Sequence, residues 1–274
     1  NIIEIYILGS VKINCRLSMS NVRACTICSG SSANAVYIEI DGEAVLIDAG
    51  CNIKRISSFL YEIGVFFRDI KAVFITHEHC DHIKCVSSLV RRKIPIIANR
   101  ATLNNIKAFK PSIDDSFFRE MPTGFTARNG NFTVTSFKTS HDCVESVGYV
   151  VKTDKGNIGV FTDLGVYDDN IVSAISGCKL VFIEANHDEE MLWNGRYPYP
   201  LKQRIAGNRG HLSNEQCGKL LAECGDGVKF AVLSHLSKEN NTPEKALSDV
   251  SKYLSGNIIL SVAPRREPSD FIIL

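Results

Sequence analysis

Short apolar runs alternate with polar turns along most of the chain. Arg23 to Cys28 reads as a first core strand, and the turn-rich Ser29-Gly30-Ser31-Ser32-Ala33-Asn34 follows it. Ala35 to Ile40 and Ala44 to Ile47 flank Asp41-Gly42, a pairing that predicts a hairpin. Residues 53 to 63 suit a helix, and Ala72 to Ile75 form a short buried strand that delivers the chain into a run of histidines. An amphipathic helix from Ile83 to Arg92, a strand at Ile94 to Ile97 and a helix near 101 to 109 continue an alternating α/β pattern. Phe132 to Phe137, Ser146 to Val151 and Ile158 to Phe161 predict a more antiparallel block, with a further strand at Leu180 to Ile183. Ser213 and Gln216 have capping-box spacing, and Cys217, Leu220, Leu221 and Cys224 follow at helical intervals. A strand at Phe230 to Leu233 feeds His235, and Thr242-Pro243 opens a last helix with Ala246, Leu247, Val250 and Leu254 inward. No repeat or linker interrupts this, so the expectation is one α/β domain of two sheets covered by helices. Its start is placed at Met19, with residues 1 to 18 as an extension outside the fold.

Composition narrows the class. Apolar residues are 45% and charged residues 22% of the 274, which suits a folded globular chain. With 31 basic and 30 acidic side chains the net charge is +1, so a polyanion has to be met locally. The ten cysteines lie mostly inside apolar runs, as small core residues in a reducing cytoplasm. Cys25-x-x-Cys28 has no matching second pair and reads as core strand. No apolar stretch approaches the roughly 20 residues of a membrane span. Ile2 to Leu8 is followed by Lys12, Asn14 and Arg16 without a clear cleavage site, which makes a poor signal peptide. A cytoplasmic location is expected.

The chemistry concentrates in His77-Glu78-His79-Cys80-Asp81-His82. Imidazole and carboxylate at this density suit zinc, manganese or iron. In an extended segment His77 and His79 point the same way, while Asp81 and His82 fall where the chain turns into a helix, so one run serves two adjacent ions. A lone histidine at a strand end is ordinarily a capping or solvated residue; three in six residues beside an aspartate are not. His141, Asp163 and His235, each following a strand, complete the candidate ligands.

These residues, with Asp48 in Leu46-Ile47-Asp48-Ala49-Gly50, resemble the metallo-β-lactamase superfamily. The resemblance implies a four-layer αββα sandwich with His77, His79 and His141 on one metal, Asp81, His82 and His235 on the other, and Asp163 bridging. Asp48 would orient a ligand histidine through its other ring nitrogen. Two such divalent ions, zinc or manganese with iron as a third option, supply an activated water and a clamp for displacement at phosphorus. The series Glu184-Ala185-Asn186-His187-Asp188, Gly210-His211-Leu212-Ser213 and Ser234-His235 resembles RNase Z-type phosphodiesterases. There the glutamate and histidine matched by Glu184 and His211 act together at the scissile phosphate, so Asp81, Glu184 and His211 are expected to carry the chemistry.

Gly30 to Asn34, Glu184 to Asp188, Tyr197 to Lys202, Gly210 to Asn214 and Ser237 to Pro243 are similar to the YycJ/WalJ family, with Ala33 where glycine is expected. That likeness implies a cytoplasmic nuclease, specifically 5′→3′ exonuclease action on double-stranded DNA. Lys202 and Arg204, in a loop before His211 with Arg196 and Arg209 nearby, are candidates for phosphate contacts. Tyr197-Pro198-Tyr199-Pro200 reads as a rigid loop rather than a stacking surface. His187 divides between a substrate or ligand-orienting role and a loop anchor. A β-CASP insertion has no room between Asp163 and His235. The alternatives are a small-ester or thioester hydrolase on the same metals, and a non-catalytic metal-stabilised regulatory module.

Overall fold

A computed structural model describes residues 21–274, so the expected division at Met19 and the Ile2 to Leu8 segment lie outside the described residues. Its first half contains β1 (Val22–Cys28), β2 (Ala35–Ile40), β3 (Glu43–Ile47), α1 (Ile53–Glu62), β4 (Ile70–Phe74), α2 (Cys80–Ile83), α3 (Val86–Val90), β5 (Ile96–Ala98), α4 (Arg100–Phe109) and β6 (Phe118–Glu120). Then follow β7 (Thr126–Asn129), β8 (Phe132–Lys138), β9 (Val147–Lys152), β10 (Asn157–Phe161), α5 (Asp169–Ser176), β11 (Cys178–Glu184), α6 (Glu189–Asn194) and α7 (Tyr199–Ala206). The chain closes with α8 (Asn214–Glu223), β12 (Phe230–Ser234), α9 (Pro243–Ser251), β13 (Ile259–Val262) and β14 (Ile272–Ile273).

Two seven-stranded sheets result, ordered β14-β1-β2-β3-β4-β5-β6 and β13-β12-β11-β10-β9-β8-β7. In the first, β1 to β3 form an antiparallel meander whose tight turn puts Asp41 and Gly42 at φ of 52° and 82°, as the Asp-Gly pair predicts. Strands β3 to β6 then pair in parallel. The second sheet repeats the scheme: β7 to β10 are antiparallel, and β10 to β13 are parallel.

Val36, Ile38, Val45, Ile47 and Phe74 from one sheet meet Tyr149, Val151, Val160, Leu180 and Phe182 from the other. The opposite faces bury Leu46, Val73 and Ile96 under Ile56, Leu89 and Ile106 of α1, α3 and α4. On the other side Val181, Ile183 and Leu233 lie under Ile175, Leu220 and Val250 of α5, α8 and α9. Helix, sheet, sheet and helix thus stack in four layers, as expected. Strands covered on both faces have no polar side to show, which is why β2 and β11 read as near-continuous apolar runs.

The expected helix from Ile83 to Arg92 is instead two short helices. Between them Ala49 N–H donates to the His82 carbonyl and Cys85 N–H donates to the Ala49 carbonyl, pulling the backbone out of a continuous helical ladder. Lys202 and Arg204 lie on α7, not in a loop. Pro200 falls in that helix's first turn, where a missing N–H costs nothing. Cys25 and Cys28 are buried free thiols in β1, as a core strand requires. No helix among the described residues is long and apolar enough to cross a membrane.

Candidate metal centre

β3, β4, β8, β10, β11 and β12 all run in the sense that brings their C-terminal ends to one edge of the sandwich. The residues just past those ends include Asp48, His77, His141, Asp163 and His235. Asp48, Asp163 and His235 have φ of 65°, 57° and 57°, a region that non-glycine residues enter only when their surroundings hold them there. Gly50 lets the first of these loops in: a Cβ there would stand 1.4 Å from the Asp81 carbonyl oxygen, so only glycine allows the two segments to touch.

Each imidazole is aimed by a partner on its far nitrogen. The Thr76 backbone N–H and hydroxyl donate to Asp48 at 2.8 and 2.9 Å, and the Thr76 hydroxyl oxygen sits 3.0 Å from His77 Nδ1. The hydroxyl proton being committed to Asp48, Thr76 accepts from His77 Nδ1–H and leaves the Nε2 lone pair facing inward. His82 Nδ1 donates to Asp48 Oδ2 at 2.8 Å, His141 Nδ1 to the Gly210 carbonyl at 3.0 Å, and His235 Nδ1 to Glu184 Oε1 at 2.8 Å. Asp48 therefore orients a ligand candidate as expected, His82, and reaches a second through Thr76.

Four overlapping groups have ligand atoms within 4.8 Å of one another: His77-His79-His141 and Asp81-His82-His235, and also His77-His82-Asp163 and Asp163-Glu184-His211-His235. His79 Nδ1 lies 3.3 Å from His141 Nε2, and Asp81 Oδ2 lies 3.4 Å from His82 Nε2 and 3.6 Å from His235 Nε2. Asp163 stands between the first two: Oδ2 is 3.1 Å from His82 Nε2, and Oδ1 is 3.6 Å from His141 Nε2. The structure thus brings together the residues expected in the two triads, with Asp163 between them.

Whether these residues fit metal ions is answered by three buried atoms. His77 Nε2, His235 Nε2 and Asp163 Oδ2 have no hydrogen-bond partner among the described residues. Each such orphan costs about 1–3 kcal/mol unless something binds it. The charge balance agrees. Burial opposes charge on His82 and His235, yet Asp48, Asp163 and Asp81 hold His82 well above the usual imidazole range. Asp163, Asp81 and Glu184 push His235 up to about 10. Burial holds His77 and His141 low, as neutral imidazoles. A buried pocket that attracts positive charge and presents neutral nitrogens suits divalent cations.

Glu184 is placed differently from the expectation that it acts at the phosphate. Its carboxylate is fully buried and saturated: Oε1 accepts from His211 Nδ1 and His235 Nδ1, both at 2.8 Å, and Oε2 accepts from Leu164 N and Leu212 N. Burial disfavours its charge, but His211 and His235 outweigh that and lower its pKa to about 2. It can reach a substrate only through the histidines it aims. The His211 ring is partly exposed, stacks at 5.0 Å from His141 and 5.2 Å from His235, and spends Nδ1 on Glu184, leaving Nε2 for the open side.

The two proposed phosphate cations are already engaged. Lys202 Nζ donates to the Trp193 carbonyl at the end of α6, and Arg204 forms a short ion pair with Asp142, next to His141. Arg209 donates to the His141 and Cys143 carbonyls and so fixes that loop. His187 anchors its loop through its backbone, bridging to Ser213, while burial lowers its ring to about 4 and Nδ1 has no partner. The sequence reading did not single out Thr76, or Asn34, whose amide lies 3.2 Å from Asp81 and 3.1 Å from His82 Nε2. Ala33 is accommodated because the left-handed position of its turn is Gly30, at φ 136°.

Two triads of candidate ligands with Asp163 between them thus stand at one edge of a double-sheet sandwich. A family described as the beta-lactamase superfamily domain matches residues 43–236, and the chain belongs to that superfamily. The fold is shared with the metallo-β-lactamase fold protein YhfI from Bacillus subtilis, at a TM-score of 0.69 and 18% identity over 93% of this chain and 99% of that one. Within the superfamily its relatives include exodeoxyribonuclease YycJ of Bacillus anthracis, 34% identical over 83% of this chain and 87% of the relative. Exodeoxyribonuclease WalJ of Streptococcus pneumoniae D39 is 38% identical over 80% of this chain and 83% of the relative.

Proposed function

We propose that the protein is a metal-dependent phosphodiesterase that degrades double-stranded DNA from its 5′ ends, in the cytoplasm. The observation that carries this reading is Glu184, which aims the partly exposed His211 beside the candidate metal triads. A thioester expels a thiolate that leaves without a proton donor, whereas cleavage at phosphate expels an alkoxide that needs a proton. The names of the YycJ and WalJ relatives support DNA as the substrate.

His77, His79 and His141 would hold one divalent ion and Asp81, His82 and His235 the other, with Asp163 shared. Imidazole and carboxylate donors accept zinc, manganese and iron alike, and zinc or manganese is the proposed occupant. When bound, the ions activate water and offset charge at phosphorus. The chain's own part is positional. Asp48, Thr76 and the Gly210 carbonyl fix which nitrogen each histidine presents, and Glu184 holds the Nδ1 proton of His211 so that Nε2 carries the proton for the leaving oxygen. Asn34 would steady Asp81 and His82, which its amide nitrogen touches.

The test is to incubate metal-loaded protein with duplex DNA labelled at either end, with single-stranded DNA, with RNA and with a thioester. Mononucleotides released first from the 5′ label of the duplex are expected. Turnover of the thioester alone would overturn the proposal.

A further inference from the structure

The segment between β13 and β14 carries Arg265 and Arg266, and nothing in the site described so far uses them. Arg265 Nη1 donates to the Leu236 carbonyl at 2.8 Å and Nη2 to the Ser237 carbonyl at 3.1 Å, in the loop that immediately follows His235. On its other side it lies against the Gly30 turn, where a Cβ on Gly30 would come within 3.1 Å of Nη1. Both loops belong to the Asp81-His82-His235 triad. Ser29 Oγ accepts from the His235 N–H at 2.8 Å, and Asn34, which touches Asp81, accepts the Gly30 N–H. The guanidinium is therefore built into the wall of this metal position.

Its electrostatics are unfavourable as they stand. Arg265 is half-buried with no carboxylate within ion-pair distance among the described residues; Glu239 acts only from further off and is itself paired with Lys238 at 3.6 Å. Burial, then the neighbouring Arg266, lower its pKa. Tying two carbonyls together does not call for a second, exposed arginine beside the first. Unlike Lys202, Arg204 and Arg209, Arg266 has no hydrogen bond or ion pair to a described residue that would occupy it. Arg265 spends Nη1 and Nη2 on carbonyls while Arg266 is unoccupied, and two adjacent guanidiniums without a carboxylate in ion-pair range are what an anionic oxygen would relieve.

We propose that Arg265 and Arg266 clamp a backbone phosphate of the nucleic-acid substrate, beside the phosphate held at the Asp81-His82-His235 triad. This rests on the nuclease reading above. The clamp supplies locally the positive charge that a chain of net charge +1 lacks overall.

Metal-loaded Arg265→Gln and Arg266→Gln variants are titrated with a fluorescent, phosphorothioate-blocked duplex over a series of salt concentrations, with melting temperature measured alongside. Each variant is expected to bind about tenfold more weakly at moderate salt, and to lower the slope of log affinity against log salt by about one. Arg266→Gln is expected to melt as the wild type does. If the wild type binds the duplex and both variants match it in affinity and slope, the clamp fails while the nuclease reading stands. If only Arg265→Gln loses affinity, and loses melting temperature with it, Arg265 is a structural tie and the clamp fails. If the wild type binds no nucleic acid at any salt, both readings fall together.

Discussion

Glu184→Gln tests whether one carboxylate serves both the metal and the proton donor. The substitution keeps the size of a fully buried side chain, so packing is preserved, but one of the two oxygens becomes an N–H donor. Oε1 faces the Nδ1 protons of His211 and His235 and Oε2 faces the N–H groups of Leu164 and Leu212, so either orientation of the amide sets donors against donors. Two of four hydrogen bonds are lost, and a buried unsatisfied donor costs about 1–3 kcal/mol. In either orientation His235 loses the full carboxylate charge, and with the amide nitrogen toward the histidines the acceptor itself, that fixes its tautomer, and such losses weaken metal binding about 10- to 100-fold. His211 loses the same partner in the same step, and kcat falls by as much as about 10²- to 10⁴-fold, the range of general acid catalysis. His211→Ala is the informative contrast, because Glu184 there keeps His235, Leu164 and Leu212. That variant is expected to hold both metals and fold normally while kcat on duplex DNA falls by a comparable factor. A nitrophenyl phosphodiester, whose leaving group departs without a proton, is expected to suffer less. Metal affinity is read by competition with a fluorescent chelator and kcat from steady-state cleavage. Wild-type metal affinity in Glu184→Gln, or loss of metal from His211→Ala, would refute the reasoning.

Asp163→Ala removes the carboxylate between the triads and is expected to reduce the metal content of purified protein below that of the wild type; unchanged elemental analysis would remove Asp163 from the site. Thr76→Val breaks the link from Asp48 to His77 without changing side-chain size, and metal affinity at the His77-His79-His141 group is expected to fall about tenfold, by the same chelator competition. His187 is buried with its pKa lowered to about 4, so the unfolded chain binds its proton between about pH 6.5 and 4 while the folded protein does not. Stability contributed by the neutral ring is therefore present above that window and lost as pH falls through it, about 2 kcal/mol between pH 6.5 and 5. His187→Asn is expected to flatten that acid-side decline in urea unfolding, and an identical slope would show that His187 is not its source.

How much of this the sequence displayed depends on the range of the interactions involved. Asp41-Gly42, the Ser213 and Gln216 capping box and the 77 to 82 run are local chemistry, and each appears in the structure as read. The two-sheet architecture was legible because strands buried on both faces leave apolar runs. Helix α7 was not, since Tyr-Pro-Tyr-Pro reads as a breaker until Pro200 is seen to occupy a first turn. Nor was the saturation of Glu184, which accepts from residues 20 positions before it and 27, 28 and 51 positions after it. Lys202 and Arg204 were grouped with the substrate by sequence proximity to His211, whereas Trp193 and Asp142 claim them in space. Arg265 lies far along the chain from the Gly30 turn it packs against, and no motif marks it.

The path of the last residues has a consequence for handling the protein. β13 belongs to one sheet and β14 to the other, so the chain's final stretch crosses between them like a buckle. Ile272 and Ile273 pair with Ala24 and Arg23, and Ser269 exchanges hydrogen bonds with Thr26, so this stretch covers the open margin of β1. Cutting it with a protease would bare a row of unpaired amides and carbonyls on an apolar strand, a template on which molecules stick to one another.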